Sequence, residues 1–144
     1  MLNQLLPRHA ALSYTLLRVV AGTMFAFHGA QKMLGVLTDK PGPELLTQMW
    51  FGGVIELVCG AAIALGLFTR WAAFLASGTM AVAYCQFHWQ LQLDDKFFPI
   101  VNKGELALLY SFLFLYMACH GSGCCAVDAH LCCGKTCGAD KPAA

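Results

Sequence analysis

Residues 12–35 read LSYTLLRVVAGTMFAFHGAQKMLG, and the reading of this stretch decides the fold class. It is apolar over about 20 residues, enough at ~1.5 Å per residue to cross ~30 Å of hydrocarbon. A secretory signal has a shorter apolar region followed by small residues at a cleavage site. This stretch instead carries Arg18 and closes on His28, Gln31 and Lys32. It reads as a retained transmembrane helix.

Three further apolar spans follow. A loop at 36–47 holds Asp39, Lys40 and the turn Pro41-Gly42-Pro43, which cannot continue a helix. Spans at about 48–68 and 71–91 are joined by Thr69-Arg70 alone, so they are expected as antiparallel neighbours. A polar loop with Asp94, Asp95, Lys96 and Pro99 leads to the last and shortest span, at about 103–119. Lipid requires every backbone polar group to be satisfied internally, which a helix does. The expectation is an all-α, integral membrane four-helix bundle over 1–120, with a polar, Cys-rich tail over 121–144. Small residues inside the spans predict close helix packing, with Gly52, Gly53 and Gly60 forming one thin face on the second helix.

Composition agrees. Of 144 residues, 58% are hydrophobic and 12% charged, about half the ~25% charge usual in soluble domains. Mean hydropathy is +0.61. These values exclude a water-soluble globular domain and a disordered chain. A formal net charge of +1 offers no electrostatic footprint for DNA or RNA, so no nucleic-acid partner is expected. The expected surroundings are a lipid bilayer and other protein subunits.

Four crossings return both termini to one side. Arg8, Arg18, Arg70, Lys135 and Lys141 fall there, against Lys32, Lys40, Lys96 and Lys103 on the other. That excess, with Arg8 and Arg18 at the start of the first helix, predicts cytoplasmic termini. Trp50, Trp71 and Trp89 fall near span ends, as interfacial tryptophans do.

An ionisable side chain inside a span is costly unless it is paired or reaches water. Glu56 is the sharpest case, being the only acid well inside a span. By depth, Lys32 or Arg18 can neutralise it. His28, Lys32, Glu56, His88 and Glu105 all fall toward the end of the bundle opposite the termini, with Gln31, Gln86 and Asn102 nearby. Two readings follow. One is structural, with an Arg18–Glu56 or Lys32–Glu56 ion pair and Glu105 at the start of the fourth helix. The other is a polar pocket for a quinone head group, a metal or a proton in transit.

At these residues the sequence resembles the DoxX family of small membrane proteins. The resemblance lies in Arg18, Gly22, His28-Gly29 and Lys32 on the first helix, and in Glu56, Gly60 and Gly66 through Arg70 on the second. It continues in Asn102, Gly104-Glu105 and Tyr110 on the fourth, then Gly121, Gly123 and Asp128. It covers about 12–130. It implies a four-helix, multi-pass protein of a bacterial-type plasma (inner) membrane. Its name-giving relatives are associated with a terminal quinol oxidase and with thiosulfate:quinone oxidoreduction.

Three functions stay open. The first is a membrane subunit of a quinone-linked redox complex. No haem, dinucleotide or P-loop motif is present in the sequence, so such a subunit would depend on a partner for an electron carrier. The second is soft-metal handling, with Cu(I) or zinc held by Cys124, Cys125, Cys132, Cys133 and Cys137 of the tail. The third is a non-catalytic assembly subunit.

Overall fold

The computed structural model describes residues 9–39 and 41–132. Helix α1 spans Ala10–Leu34 and stops at Gly35, whose φ of 64° leaves the helical region. Helix α2, Gln48–Leu65, starts on Thr47, whose hydroxyl accepts the Trp50 N–H at 3.3 Å. Gly66 ends α2 with φ 74°, and the N–H groups of Gly66 and Leu67 reach back to Ile63 and Ala62 carbonyls at 3.1 and 2.9 Å. This glycine cap moves the connection from Thr69-Arg70 to Gly66–Phe68, and Thr69 becomes the first residue of α3, Thr69–Ala83. Helix α3 runs on into a π-helix at Tyr84–Trp89. A 3-10 turn at Asp95–Phe97 and the short α4, Pro99–Asn102, carry the chain across to α5, Glu105–His120. Lys103, with φ 58°, breaks the chain between α4 and α5, so the last long helix starts at Glu105. Helix α6 is Val127–Cys132. No strand occurs among the described residues.

Helices α1 and α2 are long and apolar enough to cross a membrane. The surface is equally telling. Leu16, Val20, Phe27, Val58, Trp71, Phe74, Leu109 and Phe112 all stand exposed on the four long helices. Soluble monomers rarely show apolar surface on this scale, so hydrocarbon is the solvent these faces fit.

Consecutive long helices are antiparallel neighbours, and Phe25 of α1 closes the set by packing on Tyr110 and Phe114 of α5, ring centres 5.7 and 4.8 Å away. The tightest seam joins α1 to α2. A Cβ added at Gly60 would lie 2.8 Å from both the Ala26 Cα and the Gly22 carbonyl oxygen, and one at Gly29 would lie 2.7 Å from the Gly53 oxygen. Backbone therefore meets backbone here, as small residues permit in membrane helices. Gly52 is not part of this face, because a Cβ there would meet nothing within 4 Å. The seam predicts that Gly60→Ala costs about 1–3 kcal/mol through overpacking, while Gly52→Ala costs nothing measurable. Thermal unfolding of both variants in detergent tests this, and equal melting points would contradict the seam.

Candidate functional site

The polar residues separate into two ends of the molecule. At one end they close helix termini. Arg18 is 1% exposed, and its guanidinium donates to the Ile63 and Ala64 carbonyls at the end of α2, at 2.6 and 2.8 Å, and to the Cys125 carbonyl at 3.0 Å. Arg70 donates to the last carbonyls of α5, reaching Cys119 O at 2.7 Å and Ala118 O at 3.2 Å. The Tyr14 hydroxyl donates to the Gly121 carbonyl at 2.5 Å. Helix α3 has no cap of its own, since Phe68 sits at φ 46° without a side-chain bond. Asp128 supplies one, accepting the Phe68 and Thr69 N–H groups at 2.8 and 3.0 Å and the Thr69 hydroxyl at 3.2 Å. The segment after α5 is thus stitched across the ends of α1, α2 and α3, with Ala126 buried among them.

Burial alone would push the Asp128 carboxyl up. The hydrogen bonds from Thr69 and Phe68, with the Arg18 charge, outweigh it and hold the group below its ordinary value of 3.8. A lowered folded value means the carboxylate's contribution is complete above 3.8 and disappears as pH falls through the folded value. Asp128→Ala should therefore melt earlier at neutral pH, by the roughly 1 kcal/mol a helix cap contributes. It should also lose that part of the acid sensitivity. Melting curves across the acid range check both, and identical curves for parent and variant would dismiss the cap.

The opposite end holds the candidate site. Lys32 Nζ donates to Glu56 Oε1 at 2.6 Å, joining α1 to α2. Arg18 points its hydrogen bonds to backbone carbonyls at the other end, so the partner of Glu56 is Lys32 and the Arg18–Glu56 ion pair is not formed. Glu56 is 6% exposed, and its second oxygen, Oε2, is buried without a hydrogen-bond partner. A cavity of about 210 Å³ lies against the pair, lined by His28, Lys32, Glu56 and His88 together with Lys103 and Tyr110. Four helices meet there: α1, α2, the π-helix and α5. Glu105 is exposed on the first turn of α5 and is not in that lining, because the break at Lys103 starts the helix just before it.

The π-helix positions His88. Its Nδ1 lies 3.2 Å from the Asn102 carbonyl oxygen. A carbonyl only accepts, so Nδ1 carries a proton, and in the neutral ring Nε2 keeps the lone pair. Asn102 is itself fixed, donating to the Lys96 carbonyl at 2.7 Å and accepting the Gly104 N–H at 2.7 Å. Gly104 has to be small, since a Cβ there would come within 2.8 Å of the His88 Cβ and the Tyr84 ring. His28 is exposed at the cavity wall, so an exposed imidazole and a held one share the same space with the buried carboxylate.

Of the tail cysteines, Cys124 is disulfide-bonded and Cys125 is a free, exposed thiol. The side chain of Cys132, and all of Cys133 and Cys137, lie outside the described residues. Among the described residues no three His, Cys, Asp or Glu side chains gather around a point where a metal could sit. Sequence reasoning missed Tyr110 and Lys103 as cavity residues. It also missed a second, apolar cavity between α2 and α3, whose only signal was a pair of span glycines, Gly52 and Gly78, that pack against nothing.

Two helices long and apolar enough to cross a membrane, two shorter ones packed with them, a stitched end and a polar cavity at the other define a small helical membrane protein. The DoxX family model matches residues 13–89, just over half of the chain, and the chain belongs to the DoxX family. It is 46% identical over 115 residues to an uncharacterized protein of Haemophilus influenzae (strain ATCC 51907 / DSM 11121 / KW20 / Rd), an alignment covering 78% of this chain and 85% of that protein. No solved structure matches it. The family is a membrane family associated with oxidoreductase-related functions.

Proposed function

We propose that this protein is the membrane subunit of a quinone-linked redox complex, and that its polar cavity receives the quinone head group. All four long helices cross a bacterial-type inner membrane, with both termini in the cytoplasm. The observation that carries the reading is the 210 Å³ cavity in which His28, Lys32, Glu56 and His88 converge from three helices. A charged pair and two imidazoles gathered inside a membrane protein are costly to place, and such residues mark ligand sites and proton paths. His88 Nε2 accepts a proton or hydrogen bond from the head group, and His28 exchanges protons with water at the rim. Lys32 stays paired with Glu56 beside them. The electrons go to or come from a carrier on a partner subunit.

Glu56→Gln tests this, since it keeps the shape and removes the charge. Folded protein should stay in the membrane, while quinol recovered with the purified complex and its quinol-dependent turnover fall by at least about tenfold, or roughly 1.4 kcal/mol. Undiminished quinol binding in the folded variant would overturn the reading.

A further inference from the structure

The polar cavity does not stand alone. A larger one, about 650 Å³, lies between α2 and α3, and Lys32, Glu56, Met80 and His88 belong to the walls of both. Away from those four residues its lining is almost wholly apolar, with Phe51, Ile55, Phe74, Leu75, Val82 and Phe87 along it. Phe51, Phe74, Leu75 and Phe87 are each about half exposed or more on the apolar surface, so the groove opens sideways, toward lipid. It exists because Gly52 on α2 and Gly78 on α3 present no side chain, and an added Cβ at either would meet nothing within 4 Å. Glu56, which lines both cavities, carries a buried atom with an unmet need. Glu56 Oε1 takes the Lys32 ammonium, and Oε2 takes nothing. A buried acceptor without a donor is expensive, and a carboxylate oxygen more so. Among the described residues the only other buried side-chain atom in this condition is Arg18 Nε, at the far end of the molecule.

We infer that the two cavities together hold one amphiphile, its apolar chain in the α2–α3 groove and its hydroxyl-bearing head donating a hydrogen bond to Glu56 Oε2. The inference rests on the proposed function in using the same head-group cavity, and adds the chemistry and route of the ligand. The unmet atom is an acceptor, and so is His88 Nε2, the free nitrogen of a ring whose Nδ1 is held by the Asn102 carbonyl. Lys32 gives one N–H to Oε1 and keeps two, and His28, Lys103 and Tyr110 in the same lining can also donate, so either form of a quinone-type head finds donors. Only the hydroquinone also brings a donor to Oε2, and it therefore binds better than the quinone, which brings only acceptors. Sites built around such a hydrogen bond discriminate strongly against an analogue that cannot make it.

The experiment uses the full chain in lipid nanodiscs and four probes: decylhydroquinone kept reduced, decylbenzoquinone, hydroquinone without a chain, and decan-1-ol. Decylhydroquinone should bind at least about tenfold more tightly than each of the others. Gly78→Leu, which has room for its side chain, should weaken decylhydroquinone by about the same factor and leave chainless hydroquinone unchanged. Glu56→Gln should erase the preference for the reduced form. If the quinone binds as well as or better than the hydroquinone, or if Gly78→Leu changes nothing, this inference falls while the proposed function stands. If decan-1-ol binds as tightly as decylhydroquinone, the hydroxyl-bearing amphiphile stands and the quinone head of the proposed function falls. If no probe binds, both fall.

Discussion

Arg18→Met loses about 3–5 kcal/mol of stability, because it removes several hydrogen bonds from a charged donor, each about 1.5–3 kcal/mol and not fully additive. The side chain is 1% exposed and its guanidinium makes three hydrogen bonds to carbonyl oxygens. Two of these belong to the last turn of α2, whose carbonyls have no partner within their own helix and carry the negative end of the helix dipole. The third belongs to Cys125, in the segment that returns over the helix ends. Met fills much of the same volume but removes these donors, leaving the Ile63 oxygen with the Gly66 N–H alone. Arg18→Lys should recover only part of the loss, because a single ammonium cannot fork across several oxygens at once. Unfolding by heat or by a denaturing detergent would measure both variants. An Arg18→Met protein as stable as its parent would show that water or lipid head groups reach these carbonyls instead.

Lys32→Met has an effect of similar size at the opposite end, for a different reason. It removes the one counter-charge that Glu56, 6% exposed, has among the described residues, and so leaves a buried carboxylate unpaired. Such a change costs about 3–5 kcal/mol, whereas replacing both members of the pair by apolar residues is often close to neutral. The double variant Lys32→Met/Glu56→Leu should therefore regain most of the stability lost by Lys32→Met alone. The four proteins form a mutant cycle whose coupling energy reports the pair directly. Additive losses would mean that the two side chains do not depend on each other in the membrane. Recovery of stability without recovery of quinone binding would separate the pair's structural part from its work on the ligand.

These two residues also show why the candidate site was only partly legible in the sequence. Depth along a helix can be counted from residue numbers, so Lys32, Glu56, His28 and His88 could be placed at one end of the molecule. Rotation about the helix axis depends on which face each neighbour covers, and depth does not contain it. By depth Arg18 was as good a partner for Glu56 as Lys32. The tight α1–α2 seam, with backbone in contact at Gly22, Gly29 and Gly60, sets the rotation that brings Lys32 to 2.6 Å and sends Arg18 to the end of α2. Glu105 was misplaced for a local reason. Lys103 adopts a left-handed backbone, so the helix expected from 103 starts two residues later and Glu105 stands exposed.

Hydropathy, span length and the helix-breaking residues determined from sequence alone that the chain is all-helical, that it belongs in lipid, and where its long helices lie to within a few residues. Those properties are local: a run of apolar side chains repels water wherever it packs, Gly35 and Gly66 end helices by their own backbone freedom, and Pro41-Gly42-Pro43 keeps the loop between α1 and α2 non-helical. Only the tertiary structure decided how the helix ends are satisfied, because α3 borrows its cap from Asp128 across the chain, and α2 and α5 borrow theirs from Arg18 and Arg70. It alone opened the groove between α2 and α3 as well. A glycine in a span reads the same whether it presses against a neighbour, as Gly60 does, or faces empty space, as Gly78 does. Only the partner helix distinguishes the two.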